Sequence, residues 1–378
     1  MSLKICFVGL KCFDLISGAE LPKYLGGIEK QLVALAYGFV DAGHQVSFIT
    51  YDHGQEDGQN YAGIKVFKAY DVDGGIPVMR FIHPRMTNLW AAMRRADADI
   101  YVQMGGAIET GAVGIGSKLL LKKKRRFMFC LASDADSRRD LPFLSKFRER
   151  VLYRAGLRCA DIVIAQTHKQ RDMLSEAFAR DSTVITMPYN RPPNSGGVRS
   201  FPDPARPRVL WVGRIIEVKR LEILLDVAEL SPEIQYDVVG VPNAQSKYAD
   251  DLLARGRAMS NVTMHGKVSE KALPEFFVNA SVLCCTSELE GFPTTFLEAW
   301  AFGLPIVTTF DPDGVIKSNC LGAVVGSPEQ LLTEIRKVVL SSQEWIRISE
   351  AARLYFEKKY TVQAVVPQFE RKLVEMHV

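Results

Sequence analysis

The sequence predicts an α/β protein made of two doubly wound domains, and two observations carry that expectation. Short apolar runs at 4–9, 45–50, 64–68, 99–103, 127–131 and 161–165 alternate with longer stretches of helical period, which is the pattern of strands joined by crossover helices. The chain has 378 residues, enough to bury two cores. The breaker-rich stretch 188–197, continued in composition by 201–207, reads as the linker between them.

Composition narrows the class. Hydrophobic residues make up 47% and charged residues 24%, ordinary values for a soluble globular chain. Seven cysteines are scattered without zinc-type spacing, and Cys284 and Cys285 sit inside an apolar run. They read as reduced structural thiols, with no metal site. The first strand begins at Lys4, too early for a signal peptide. No run approaches the roughly 18 apolar residues of a membrane span. A cytosolic protein is the expectation.

In the first half, strand 4–9 ends in a single glycine, Val8-Gly9-Leu10. No G-x-G-x-x-G follows it, which argues against a dinucleotide dehydrogenase. Gly26 and Gly27 instead open a helix that runs to about residue 42. Lacking Cβ atoms, they let a diphosphate approach the backbone closely; a plain flexible turn is the other reading. Between 118 and 158, thirteen lysines and arginines stand against four acids, a surplus of nine where the whole chain carries +4. Leu141, Phe143, Leu144 and Phe147 lie among these charges. Such a mixture suits an anionic membrane surface at the inner face of the membrane, an anionic acceptor, or simply a solvated helix face. Nucleic acid is not expected, because no aromatic or base-reading pattern accompanies the charge. The run 130–136, Cys-Leu-Ala-Ser-Asp-Ala-Asp, marks a strand end, where open α/β sheets place ligands.

In the second half, strand 208–213 runs into Arg214, and Lys219 follows five residues later before a helix to Glu229. Two cations at a strand-to-helix loop suit a diphosphate, one as a bidentate fork and one as a point charge. Without an anion to hold, cations are disfavoured at a helix N-terminus. Strand 235–239 ends in Gly240, strand 261–265 turns out through Gly266-Lys267-Val268, and a helix spans 270–279. An apolar strand at 280–285 then opens into an acidic loop ending at Glu290. Pro293 sits in a first helical turn, a helix runs from Thr294 to Phe302, and Gly303 and Pro305 close it before strand 305–309. The first-turn N–H groups suit a phosphate or a polar sugar edge, with the carboxylates of Glu290 and Glu298 to grip separate hydroxyls. The plain alternative is a crossover with ordinary surface acids. The stretch 328–378 is helical and amphipathic.

Glu290 and Glu298, with seven residues between them, resemble the E-x7-E pair of the retaining family 4 glycosyltransferases, the glycosyl transferases group 1. Gly291-Phe292-Pro293 and the run 298–305 resemble its flanks, with Trp300 where Ala-Met-Ala is more usual. Gly213-Arg214 with Lys219 is similar to the family's G-R…K pattern, Gly26-Gly27 to its G-G-x-E loop beside the donor diphosphate, and 166–170 to a Q-T-x-x-Q segment. The resemblance implies the GT-B architecture, two Rossmann-like domains facing across a cleft. Residues 1–188 would bind the acceptor and 189–357 the nucleotide sugar, with helix 358–378 packing back on the first domain. It implies that Arg214 and Lys219 neutralise the leaving diphosphate without metal or other cofactor. Glu290, with Gly291, Phe292, Pro293 and Thr294, would hold the sugar, and Glu298 the ribose. Gly213 and Val268 would line the donor site. Many members carry a histidine near the reacting sugar; this chain has none at 130–136, and Ser133 or Asp134 takes that space on the acceptor side. The implied reaction moves a hexose from a nucleoside-diphosphate sugar to a glycan, lipid-linked or small-molecule acceptor, with retention, in building cell-envelope polysaccharide. A non-catalytic nucleotide- or glycan-binding protein and a glycan phosphorylase are the alternatives on the same fold.

Overall fold

The structure, a computed structural model, describes residues 2–375 apart from 21, 25, 77, 78, 122–124, 193, 194, 196, 198 and 243. Lys122, Lys123 and Lys124 of the basic run, parts of the linker and the last three residues of the final helical stretch therefore lie outside the described residues. The chain divides into two compact units. One runs to Asn190 and resumes at Val362; the other is Arg191–Thr361.

The first unit contains β1 (Lys4–Val8), α1 (Phe13–Ser17), α2 (Gly27–Asp41), β2 (Gln45–Thr50), β3 (Gln59–Tyr61), β4 (Ile64–Lys68), α3 (Thr87–Ala96), β5 (Ile100–Met104), α4 (Ile108–Ile115), β6 (Arg126–Cys130), α5 (Phe147–Cys159), β7 (Ile162–Ala165), α6 (His168–Phe178) and β8 (Thr183–Val184). The sheet order is β3-β4-β2-β1-β5-β6-β7-β8. Every neighbouring pair is parallel except β3 with β4. Ile5 and Phe7 enter one core and Cys6 and Val8 the other. Alternate residues of a strand point to opposite faces, and helices cover both, so the strands read as unbroken apolar runs.

The second unit contains β9 (Arg208–Val212), α7 (Leu221–Glu229), β10 (Gln235–Val239), α8 (Lys247–Ala258), β11 (Val262–Gly266), α9 (Leu273–Asn279), β12 (Val282–Cys285), α10 (Thr294–Ala301), β13 (Ile306–Thr308), α11 (Val315–Ser318), β14 (Gly322–Val324), α12 (Pro328–Leu340) and α13 (Ser342–Lys359). Its all-parallel sheet has the order β11-β10-β9-β12-β13-β14. The chain winds outward from β9 in one direction and from β12 in the other, so the crevice at the carboxyl ends of these two strands is a topological switch point. The first unit has its equivalent between β1 and β5.

The helical end of the chain is three helices rather than one stretch. Ser327 and Ser341 cap α12 and α13 by accepting from the N–H groups of Gln330 and Glu344, which is how short hydroxyl side chains start helices. The last helix, α14 (Val362–Glu375), packs on α2 in the first unit. A Cβ added at Gly38 would lie 2.5 Å from Val366 Cγ2 and 2.6 Å from Val362 Cγ1, so a bare backbone is what lets the helices meet. Phe39 and Phe369 pack edge to face, and His44 Nε2 lies 3.2 Å from Glu370 Oε1.

Two expectations shift in detail. Pro293 is the residue before α10, with φ −62° and ψ 122°, because its extended ψ cannot begin a helical turn. The polar strand β3 has no apolar alternation to betray it; it exists because it hydrogen-bonds antiparallel to β4 at the sheet edge.

Candidate active site

The loops that leave β9 and β12 build the switch point of the second unit, and side chains lock them together. Thr286 Oγ1 donates to Lys219 O at 2.7 Å and accepts from Trp211 Nε1 at 3.2 Å. Glu288 N donates to Val218 O at 2.9 Å. Arg220 reaches across with Nε to Thr286 O (2.8 Å) and Nη2 to Thr309 Oγ1 (3.0 Å). Its φ is +49°, a conformation that costs an L side chain energy and persists only where the surroundings over-determine it. Arg220 is thus the clamp of this site. Sequence reasoning passed over it because nothing in a lone arginine at a helix start tells a clamp from a solvated charge.

This frame holds the two expected cations. Lys219 Nζ forms an ion pair with Glu290 Oε1, and both side chains are largely covered. Arg214 is exposed, and among the described residues its guanidinium has no hydrogen bond or ion pair. Glu290 stands in the loop, while Glu298 is buried in the second turn of α10. Gly291, Phe292 and Pro293 are buried at the entry to α10, and Thr294, its first residue, is half-exposed. Behind them Trp300 packs against Phe292 (6.0 Å between centroids), Tyr355 (5.5 Å) and Tyr360 (5.9 Å).

The neighbouring strand ends are stitched side by side. Gly213 N donates to Val239 O at 3.0 Å, and Gly240 N to Gly266 O at 2.9 Å. A Cβ at Gly240, whose φ is +149°, would collide with the carbonyl oxygen of Gly213, so only glycine fits there. Val268 is half-buried just beyond β11. The structure therefore gathers Gly213, Arg214, Lys219, Glu290, Gly291, Phe292, Pro293, Thr294, Glu298 and Val268 at the carboxyl end of one sheet. His265 lies outside this set: its Nε2 meets Asp237 Oδ1 at 2.7 Å, and Arg208 holds the same carboxylate through Nε and Nη2.

The remaining expected residues belong to the first unit. Gly26 caps α2 in an extended conformation, and Gly27 is the helix's first residue. A Cβ at Gly26 would collide with Glu29 Oε2, so the space this glycine opens holds the chain's own carboxylate, in the first turn where the helix dipole favours an anion. Ser133 precedes the short turn Asp134–Ser137. Asp134 is buried, and its Oδ2 lies 2.7 Å from Lys169 Nζ. Asp136 accepts from the N–H groups of Gly106 (3.0 Å), Ala132 (2.8 Å) and Ser133 (3.1 Å). Burial pushes its carboxyl pKa up while these three donors pull it down. Main-chain donors and Lys169 thus engage both carboxylates of this strand end, and of Ser133 and Asp134, the two residues expected on the acceptor side, Ser133 alone stays partly exposed.

The Q-T-x-x-Q segment gains a physical role. Thr167 caps α6 by accepting from Gln170 N, Gln170 Oε1 accepts from Gln166 N (2.9 Å), and Gln166 Nε2 donates to Leu131 O (2.9 Å). It ties α6 to the end of β6. Sequence reasoning also missed an aromatic group at the carboxyl ends of β1, β2 and β4. Lys11 and Lys23 lie over the Tyr24 ring at 5.4 and 5.5 Å. Tyr51 sits 5.4 Å from Tyr70, whose hydroxyl donates to Glu109 Oε1 at 3.3 Å. Among the described residues no group of three His, Cys, Asp or Glu is placed to hold a metal ion. No helix among them is long and apolar enough to cross a membrane.

Comparison with known proteins places this arrangement. Residues 199–355 match the family model described as glycosyl transferases group 1, and residues 26–190 match the glycosyl transferase 4-like domain. A mannosylfructose-phosphate synthase of Agrobacterium fabrum is 29% identical over 188 residues, an alignment covering 43% of this chain and 41% of that relative. The match thus spans under half of the curated relative's length. Among solved structures, the sucrose-phosphate synthase of Thermosynechococcus elongatus superposes with a TM-score of 0.77 at 16% identity, covering 99% of this chain and 98% of the other. HepE of Anabaena, in complex with UDP and glucose, gives 0.73 at 17% identity, covering 98% and 99%. The expected GT-B class of α/β fold, with a parallel sheet in each unit apart from edge strand β3, is the one observed, and the chain belongs to the glycosyl transferases group 1 family.

Proposed function

We propose that the protein transfers a hexose from a nucleoside-diphosphate sugar to a glycan or lipid-linked acceptor with retention of anomeric configuration, in building cell-envelope polysaccharide. One observation carries the reading: two cations stand on the loop that leaves β9 at the switch point of the second unit, Arg214 exposed and without a hydrogen bond or ion pair among the described residues, and Lys219 paired with Glu290. An unpaired guanidinium at a strand end suits the oxygens of a diphosphate. As the bond from sugar to phosphate breaks, negative charge grows on the diphosphate. Arg214 and Lys219 stabilise it from fixed positions, so the reorganisation is complete before the reaction begins. This division of charge requires no metal ion.

Glu290 then serves twice. Without donor it balances Lys219; with donor bound, Lys219 turns to the phosphates and Glu290 is left to accept from sugar hydroxyls beside Gly291 and Phe292. Glu298, rigid inside α10, accepts from the ribose. Gly213, whose side is closed by Gly240, gives the diphosphate a surface free of side chains. Among the described residues we assign no side chain as a nucleophile for a covalent intermediate, and the proposed route is attack by the acceptor on the face the leaving group vacates. Ser133 stands on the acceptor side of the first unit. HepE binds UDP, so uridine is the base to test first.

The test combines binding and turnover. Thermal shifts with UDP, GDP, ADP and NAD should single out one nucleotide, worth roughly 2.7 kcal/mol at a hundredfold excess over its Kd, and Glu298→Ala should abolish that shift. Proton NMR of the glycoside made from the matching nucleotide sugar should show the donor's anomeric configuration. An inverted product overturns retention. Binding without turnover supports a non-catalytic protein, and sugar 1-phosphate released only with inorganic phosphate supports a phosphorylase.

A further inference from the structure

The basic surplus between 118 and 158 is two separate features, because β6 runs through it. Before β6, the described cations sit at the amino end of the sheet and are paired. Lys118 pairs with Asp161, Arg125 with Asp97 and, at 3.3 Å, with Asp99, and Arg126 with Asp161 at 3.3 Å. After β6 the chain emerges at the carboxyl end. There Arg138 pairs with Asp140, but among the described residues the cationic groups of Arg139, Lys146 and Arg148 have no carboxylate partner.

Around these free cations the surface is apolar. Phe143 is 64% exposed and Phe147 80%. Val151, one turn after Phe147 on α5, is exposed as well. The segment after β4 contributes Ile76 (68%), Met79 and Ile82, all exposed. The guanidinium of Arg148 lies 4.7 Å over the ring of Phe81, which joins the two segments into one surface. Exposed apolar side chains scattered singly are normal, but a cluster of them marks an interaction site. Large apolar groups interleaved with unpaired cations at a helix start fit the headgroup boundary of a bilayer, where the rings enter the acyl region and the cations meet phosphates.

We infer that this rim at the carboxyl end of the first unit docks on an anionic lipid bilayer. Resting on the sugar-transfer reading, docking there sets the acceptor side, Ser133 included, against the headgroups and favours a membrane-borne acceptor. The docking itself stands without that reading.

The experiment is co-sedimentation of the full chain with vesicles of phosphatidylcholine alone and of phosphatidylcholine mixed with phosphatidylglycerol, at low and at high salt. Binding to the anionic vesicles only, weakened by salt, is expected. Phe147→Ser and Arg148→Glu should each weaken it about tenfold or more. Arg126→Gln, at the amino end, should leave it unchanged. All three should keep the wild-type thermal midpoint, since each residue is exposed. Failure to bind anionic vesicles at low salt overturns the inference, as does equal loss in Arg126→Gln. Dimerisation in solution abolished by Phe147→Ser, or capture of an acidic protein in place of vesicles, overturns it as well. Nucleotide-sugar turnover is measured in parallel on the same variants without lipid. Vesicle binding without turnover would leave the docking standing and remove the transferase reading; turnover without vesicle binding would do the reverse.

Discussion

Arg214 and Arg220 stand six positions apart in one loop, and the structure gives them opposite duties. Arg214 is exposed, and among the described residues its side chain has no hydrogen bond or ion pair, so truncating it breaks none in the folded chain. Its stability effect should fall within about 0.5 kcal/mol of zero. If it stabilises the leaving diphosphate, Arg214→Ala should lower turnover roughly a hundredfold to a thousandfold, as loss of one preorganised donor costs about 2.7–4 kcal/mol. Arg214→Lys should recover part of the rate, because charge remains while the bidentate fork is lost. Arg220 makes charged hydrogen bonds to Thr286 O and Thr309 Oγ1, each worth about 1.5–3 kcal/mol. Both acceptors regain some water once the side chain is gone, so Arg220→Ala should cost about 3 kcal/mol. For a unit of this size that lowers the midpoint by roughly 6–12 °C. Urea denaturation and release of nucleoside diphosphate from the donor sugar, measured on both variants, separate the two roles. If Arg214→Ala lost stability and turnover in equal measure, or Arg220→Ala kept its midpoint, the division of labour argued here would be wrong.

Three further outcomes follow from particular contacts. Glu290→Gln removes the counter-charge of Lys219, so calorimetry should show UDP bound at least as tightly as by the wild type while sugar turnover falls; weaker UDP binding would contradict the competition between Glu290 and diphosphate. Gly38→Ala should overpack the α2–α14 contact at a cost of about 1–3 kcal/mol and speed proteolysis ahead of Val362, visible as an early fragment on a gel; unchanged cleavage would show that α14 does not depend on that approach. Cys320 is exposed, whereas Cys6, Cys12, Cys130, Cys284 and Cys285 are buried, and burial pushes Cys6 and Cys130 up to about 12. A disulfide reagent should therefore titrate Cys320 at once, half-buried Cys159 later and the other five only in denaturant; fast reaction of a second thiol would refute that order.

What could be read in advance depended on whether the cause was local. Strand and helix alternation follows from apolar spacing, so the strands beginning at Lys4, Gln45, Ile64, Arg208 and Gln235 start where the sequence places them. Glu290 and Glu298, and Gly213-Arg214 with Lys219, stood out by fixed spacing, and the fold brings them to one end of a sheet. What escaped was non-local. Arg220 matters through Thr309, 89 positions away, and β3 exists only because β4 offers an edge. Asp134 carried the right residue type for an acceptor-side role, yet Lys169 on another helix engages it. The basic surplus was coarse in a similar way, since a running sum of charge cannot register that a five-residue strand separates Lys118, Arg125 and Arg126 from Arg138 and the cations after it.

The same reasoning explains why Lys219 is paired while Arg214 is left alone. An ammonium is compact and strongly hydrated, and covering it without a counter-charge is costly. The Lys219 side chain is largely covered, so in the absence of a bound anion Glu290 supplies its counter-charge. A guanidinium is more weakly hydrated, and Arg214 projects into water, where standing unpaired costs little. On the proposed reading the two cations therefore change differently when a diphosphate binds. Arg214 would gain a partner outright, whereas Lys219 would exchange one and free the Glu290 carboxylate toward the sugar. Binding the diphosphate and orienting the sugar would then be one event, because the group that releases Lys219 would be the group that holds the ring to be transferred.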